Sequence, residues 1–372
     1  MRSRLATVAL GLAFTLSSVI ASGQVSSGQV DAVFTSLKSN NAPGAAVLVV
    51  RNGRTEFRRG YGVTDLRTRQ PIDGATNYRQ ASFTKQFTAT CIMLLAQDGK
   101  LRYDDHLTDF LPEFPAYGKS ITVRNLLNHT SGLPDYDDLW MQQHANVPPE
   151  KVPQILDAGV LKLLEQQTNG EFAPGTKWEY SNSGYAVLAM ILEKVSGQSF
   201  GQFLRERIFT PLKMENTLAY EKGKNEVPHR AFGYTKEKDG WHETDQSPTS
   251  AVLGDGGIYS SLDDLAKWDR ALRNHTLLSA TEMQPALTAV QLKDGPAKFP
   301  EGGPVSYGFG WFLAPYRGHK RMSHDGETIG FRTTIQRFPD DDLTIIILAD
   351  RTDINPAELA LKVADLYLRT KP

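Results

Sequence analysis

The chain has 372 residues, with 41 Lys and Arg against 42 Asp and Glu, and carries a formal net charge of −1 at pH 7. Such balance excludes the clustered cationic surface that phosphate neutralisation needs, so nucleic acid is not an expected partner. The length and ordinary apolar share fit one compact body with a smaller helical lobe, and a single cysteine, Cys91, excludes an intrachain disulfide.

Residues 1–23 place Arg2 and Arg4 ahead of an uncharged stretch from Leu5 to about Ala21, followed by Ser22 and Gly23. This is the layout of a secretory signal peptide. It predicts a mature domain at residues 24–372 and a periplasmic or secreted protein, with the membrane as a partner only if the segment stays uncleaved. Next, Val30, Val33, Phe34 and Leu37 recur at helical spacing. Residues 45–51 and 55–65 flank an Asn52-Gly53 turn and read as a hairpin.

The middle of the chain is helical in its periodicity, over residues 83–99, 123–128, 183–197, 200–209 and 261–274. Cys91 falls inside the first of these as a small packed hydrophobe. Gly197 should stop its helix, and Ser261 with Asp264 reads as a capping box. Residues 221–250 are polar and turn-rich, which predicts a surface excursion. A second strand cluster is expected at residues 307–314, 319–326, 328–338 and 343–349, with a turn at Pro339-Asp340-Asp341. Residues 343–349 are apolar on both faces and predict a central, covered strand, and residues 358–370 predict a closing helix. The sum is an α+β fold: an antiparallel sheet from the two ends of the chain, flanked by helices, with a mainly helical lobe inserted at roughly residues 82–275.

Ser82-Phe83-Thr84-Lys85 carries the first chemical signal. On a helical start, positions i and i+3 share a face, which sets an amine beside a hydroxyl at a helix N-terminus that favours negative charge. Gly254-Asp255-Gly256-Gly257 lacks the Gly-Lys-Ser/Thr of a phosphate loop and reads as a structural turn. With no His-Glu-x-x-His and no cysteine cluster, neither a metal nor another cofactor is expected.

Residues 79–114, 121–136 and 172–197 together resemble the serine β-lactamase-related hydrolases: class C β-lactamases, penicillin-binding proteins, D-alanyl-D-alanine carboxypeptidases and their esterase and D-aminopeptidase relatives. The resemblance runs from about residue 30 to the C-terminus. It implies a β-lactamase/transpeptidase-like fold, Ser82 as nucleophile, and Lys85 and Tyr180 as the groups that move its proton, either of them serving as general base. Asn182, in Tyr180-Ser181-Asn182, would donate a hydrogen bond to Lys85 or to substrate. His324-Asp325-Gly326 stands where class C enzymes carry Lys-Thr-Gly. There His324 would bind a carboxylate or polarise the tyrosine, and Gly326 would leave room for substrate. The oxyanion hole would come from the backbone N–H groups of Ser82 and Glu327, and His129 would fix its own loop.

The function so implied is an exported serine hydrolase that forms an acyl-enzyme with D-alanyl peptides, D-amino-acid amides or short-chain esters. Its partner is a small-molecule or peptide acyl substrate. A true β-lactamase and a non-catalytic penicillin-binding or scaffold homologue are the alternatives. Loss of the fixed cation of Lys-Thr-Gly counts against the first, and the chemically competent residues at all three motif positions count against the second.

Overall fold

The computed structural model describes residues 25–369, so the signal-like segment 1–23 lies outside the described residues. The unbroken apolar run of residues 343–349 becomes strand β5 (Leu343–Ala349 in chain order after the four strands below), and every residue in it is buried. The other strands of its sheet are β1 (Ala45–Arg51), β2 (Arg54–Tyr61), β3 (Met322–Thr328) and β4 (Phe331–Phe338). The spatial order is β3-β4-β5-β1-β2 and all neighbours are antiparallel. Both ends of the chain therefore meet where Val47 pairs with Ile347. The Asn52-Gly53 turn closes the hairpin with φ of 51° and 70°, the two positive values a tight primed turn demands.

Because side chains alternate along a strand, β5 feeds two cores. Ile345 and Ile347 pack with Val30 and Phe34 of the N-terminal segment, which contains α1 (Ser27–Val33), and with Val363 of α5 (Pro356–Tyr367). Ile346 and Leu348 face the other way, into a larger core with Phe87 and Trp268. That second core holds α2 (Lys85–Gln97), α3 (Asn182–Ser196) and α4 (Leu262–Arg273). Each fully buried isoleucine or phenylalanine contributes roughly 1.5–3 kcal/mol of transfer free energy, so this two-sided cover stabilises the sheet from both faces. Cys91 lies in α2 with no exposure, and burial pushes its thiol up, as a packed hydrophobe requires.

Several expectations change in detail. Residues 307–314 form no strand. Gly308 N–H bonds Trp311 O, Gly310 adopts φ +75°, and only isolated bridges join Phe312 to Tyr307 and Ser323. The turn at Gly310 bends this segment so that Phe309 and Trp311 enter the core, and that burial outweighs strand pairing. The helix over residues 200–209 runs as Phe200–Leu204 and then a wider π turn at Arg205–Phe209. The surface excursion holds a small hairpin, Tyr234–Glu237 with Gly240–Glu243, and buries Ala231 and Tyr234. Gly197 ends α3 in the left-handed conformation at φ 72°. Ser261 caps α4, but the Asp264 carboxylate turns away to Asn216 N–H, Thr217 and Lys267, so only half of the predicted capping box forms.

Candidate active site

The segment before α2 presents Ser82. Residues Ala81–Thr84 form a tight 3-10 turn that runs straight into α2 at Lys85. Ala81 sits at φ +49°, a left-handed conformation that costs a non-glycine residue free energy and is held by the packing around it. Gly256 packs against this backbone at ordinary contact distance, 3.6 Å from where a side chain on it would begin. Ser82 is half-buried and Lys85 is fully buried. The expected i to i+3 proximity holds, although Ser82 stands in the 3-10 turn and not in the α-helix.

A fully buried ammonium or amine must have its hydrogen-bonding positions filled. Lys85 Nζ donates to Asn182 Oδ1 at 2.8 Å and to the Asp255 carbonyl at 3.0 Å, and lies 3.2 Å from Ser82 Oγ. Two of these partners, a carboxamide oxygen and a backbone carbonyl, can only accept. An uncharged amine keeping both bonds therefore turns its lone pair toward Ser82 Oγ. Asn182 is the first residue of α3 and accepts from Lys85, the reverse of the expected donation. The Gly254–Gly257 turn, read as structural, thus supplies a backbone acceptor to the lysine. The Asp255 carboxylate is buried close by, accepts from Tyr136 OH at 2.7 Å, and is pushed up by burial and drawn down by the Lys85 charge.

Tyr180 reaches the same place from the loop before α3. Lys85 Nζ stands 4.9 Å from the centre of its ring, and its hydroxyl is buried with no hydrogen-bond partner among the described residues. The loop is anchored by His129, whose Nδ1 accepts from Ser181 N–H at 3.0 Å and whose carbonyl accepts from Glu179 N–H. The two rings are 4.4 Å apart. Burial first, and then the charge of Lys85, hold the His129 imidazole well below the usual histidine range.

The edge strand β3 packs against the turn that carries Ser82. Ser323 uses its N–H and C=O to bridge Phe312 outside the sheet, so by strand alternation Asp325 and Glu327 also aim their N–H groups at the open edge. The Glu327 side chain pairs with Arg332 at 2.7 Å, leaving the backbone N–H as what this residue presents at the open edge. Gly326 differs from expectation: a Cβ there would fall 2.1 Å from the Gln80 carbonyl and 2.2 Å from Thr333 Oγ1. The missing side chain makes room for the chain leading to Ser82, not for substrate.

His324 also differs. Its Nδ1 bonds the Asp325 carbonyl at 2.7 Å and its Nε2 meets Tyr307 OH at 3.1 Å. Burial, helped by the Lys85 charge, pushes the imidazole down to about 3, so at neutral pH it is uncharged and presents no cation to a carboxylate. No hydrogen bond joins it to Tyr180, whose ring is 6.3 Å away, so the tyrosine is not polarised through it. Asp325 bonds Thr334 and Gln336 along the sheet.

Asp137, which belongs to none of the three motifs, stands beside Asn182. Its half-buried carboxylate lies within reach of Thr249 and of Asn182, the residue that also holds Lys85. Burial raises it to about 6, with the charges of Asp255 and Asp135 adding to the effect. Asp135 caps the helix Tyr136–Gln143, and the acids that follow look like ordinary first-turn residues, which hid this one.

Residues 30–368 match the Beta-lactamase family, and the chain belongs to it. It is a serine hydrolase of that family. It is 32% identical over 354 residues to penicillin-binding protein 4* of Bacillus subtilis, covering 91% of this chain and 75% of the relative. A D-aminopeptidase of Brucella canis is 31% identical over 337 residues, covering 89% of this chain and 60% of that protein. Among solved structures, the octameric penicillin-binding protein homologue from Pyrococcus abyssi superposes with a TM-score of 0.77 at 25% identity, covering 91% of this chain and 76% of the other. D-amino acid amidase from Ochrobactrum anthropi shares the fold with a TM-score of 0.76 at 24% identity, covering 91% and 97% of the two chains.

Proposed function

We propose that this protein is an exported hydrolase that forms an acyl-enzyme on Ser82 and acts first on D-aminoacyl amides and peptides. The observation that carries the chemistry is the Lys85 amine, buried, fixed by two acceptors and 3.2 Å from Ser82 Oγ. As an amine it takes the Ser82 proton while Oγ bonds the substrate carbonyl carbon and the carbonyl pair moves onto oxygen. The N–H groups of Ser82 and Glu327 are the donors for that oxygen. When the carbon–nitrogen bond breaks, the leaving amine takes a proton from Tyr180, which recovers one from Lys85. Water then adds to the acyl carbon and releases the acid, restoring the Ser82 hydroxyl.

Substrate choice rests on Asp137. A half-buried carboxylate beside Asn182 suits a protonated amine on the carbon next to the scissile carbonyl, the group that D-aminoacyl amides carry and acylated peptides lack. The names of the relatives, D-aminopeptidase and D-amino acid amidase, agree with it. The uncharged His324 leaves no fixed cation on the edge strand, which ranks β-lactam hydrolysis below amide and ester cleavage. Export follows from residues 1–23, whose order of charge, apolar run and small residues is that of a signal peptide.

The test is a parallel screen of the protein and its Ser82→Ala variant against a D-alanine anilide, a nitrophenyl ester, a D-alanyl-D-alanine peptide and a chromogenic cephalosporin, with intact-mass detection of the adduct. Turnover and adduct should vanish in the variant. A cephalosporin turned over faster than the anilide would reverse the ranking, and an unreactive wild type would favour a non-catalytic binder.

A further inference from the structure

The carbonyl that holds Lys85 belongs to a turn with its own anchor. Residues Leu253–Gly256 make one helical turn, and Gly254 must be glycine there because a Cβ would lie 2.3 Å from the Tyr185 carbonyl. The two amides that open the turn point away from Lys85. Leu253 N–H and Gly254 N–H donate to the two carboxylate oxygens of Asp157 at 2.8 and 3.0 Å. From the α2 side, Thr88 Oγ1 donates to the Gly254 carbonyl at 2.6 Å. Asp157 is buried at the start of the helix Asp157–Glu165 and touches neither Ser82 nor Lys85 through any hydrogen bond.

We propose that Asp157 is a positioning residue for Lys85: its carboxylate clamps the Leu253–Gly256 turn so that the Asp255 carbonyl aims the amine at Ser82. This rests on the reading of Ser82 as nucleophile and Lys85 as base. An ionised carboxylate accepts from both amides at once, whereas a carboxamide or carboxylic acid sets a donor against one of them. The clamp is therefore strongest in the ionised state, and burial pushes the Asp157 carboxyl up to about 7. The groups facing it are Asp255 and Tyr136 on the inner side, and Glu193, Tyr220, Glu221, Lys222 and Lys224 around the outer cleft. As pH rises through 7 the clamp tightens, so acylation should gain a step there.

The experiment is the rate at which a fluorophosphonate labels Ser82 in the full chain, measured from pH 5.5 to 9 for wild type, Asp157→Asn, Thr88→Val and Lys85→Ala, with thermal midpoints for each. Asp157→Asn should label about tenfold more slowly at pH 8, lack the step near pH 7, and keep a thermal midpoint at pH 8 no lower than wild type. Thr88→Val should slow labelling in the same direction and retain the step. Wild-type labelling by either variant overturns the inference, as does a slow Asp157→Asn with a lowered midpoint and the step intact. Should Asp157→Asn fail to fold, a Thr88→Val protein that labels at full rate overturns it alone. A wild type that does not label, or labels as well without Lys85, removes the reading of Ser82 and Lys85 and this inference with it.

Discussion

Asp137 lies within reach of Asn182 and His324 sits on the edge strand, and burial drives each toward its neutral form. For the acid this means a rise to about 6, and for the base a fall to about 3. Near neutral pH the outcome is an ionised carboxylate and an uncharged imidazole, so Asp137 can partner a substrate amine and His324 brings no charge to a substrate carboxylate. Replacing Asp137 with Asn should raise KM for D-alanine p-nitroanilide about tenfold to a hundredfold, the worth of a charge-assisted hydrogen bond, and leave its N-acetyl analogue unchanged. In wild type, activity on the amine substrate should climb as pH rises through about 6, because the carboxyl must ionise, and the variant should lack that climb. Equal losses on both substrates would remove Asp137 from recognition. Tyr180→Phe offers a second check. A nitrophenolate leaves without a proton and an amine does not, so the variant should lose on the order of a hundredfold or more on the anilide and far less on a nitrophenyl ester. Matching losses would mean that the phenol does not serve the leaving group.

At the scale of elements, Ser82 is set beside the open sheet edge because the edge strand β3 docks on the 3-10 turn that carries it. Gly326 is the point of contact, 2.1 Å of would-be Cβ distance from the Gln80 carbonyl. Because the obstacle is backbone, Gly326→Ala should push strand and turn apart, at about 1–3 kcal/mol of stability, and fluorophosphonate labelling of Ser82 should drop with it. A variant that labels at full rate with an unchanged unfolding midpoint would show that this contact does not set the site. The strands and helices behind the groove were readable because their signal is periodic and local: residues 343–349 announce a doubly covered strand, and Ser82 with Lys85 announces itself by helical spacing. Asp255 was not readable as a partner of Lys85, since a backbone carbonyl has no residue type to betray it. Residues 307–314 misled because a run of aromatics suits a strand until the chain turns at Gly310, at φ +75°, and carries Phe309 and Trp311 inward.

For the molecule as a whole, the buried ionisable groups make stability depend on pH in two opposing senses. Asp137 and Asp157 have folded-state values raised to about 6 and about 7, so the stability they contribute is complete below their unfolded value of 3.8 and is lost as pH rises through those values. His129 and His324 act the other way: their values are depressed below 6.5, so the unfolded chain takes up protons first and stability is lost as pH falls. The net slope mixes these terms, but a difference between two proteins isolates one of them. His324→Asn removes a ring that bonds Tyr307 and the Asp325 carbonyl, and at pH 7 should destabilise by about 1–3 kcal/mol. Below 6.5 the wild type alone pays for keeping that ring neutral, so the gap should close by up to about 1.4 kcal/mol for each pH unit. Denaturant unfolding of both proteins at pH 7, 5.5 and 4 measures it. If burial holds the imidazole neutral, the variant overtakes or matches the wild type by pH 4. A gap that stays constant would place a proton on His324 in the folded state, and with it a cation on the edge strand where a substrate carboxylate could bind.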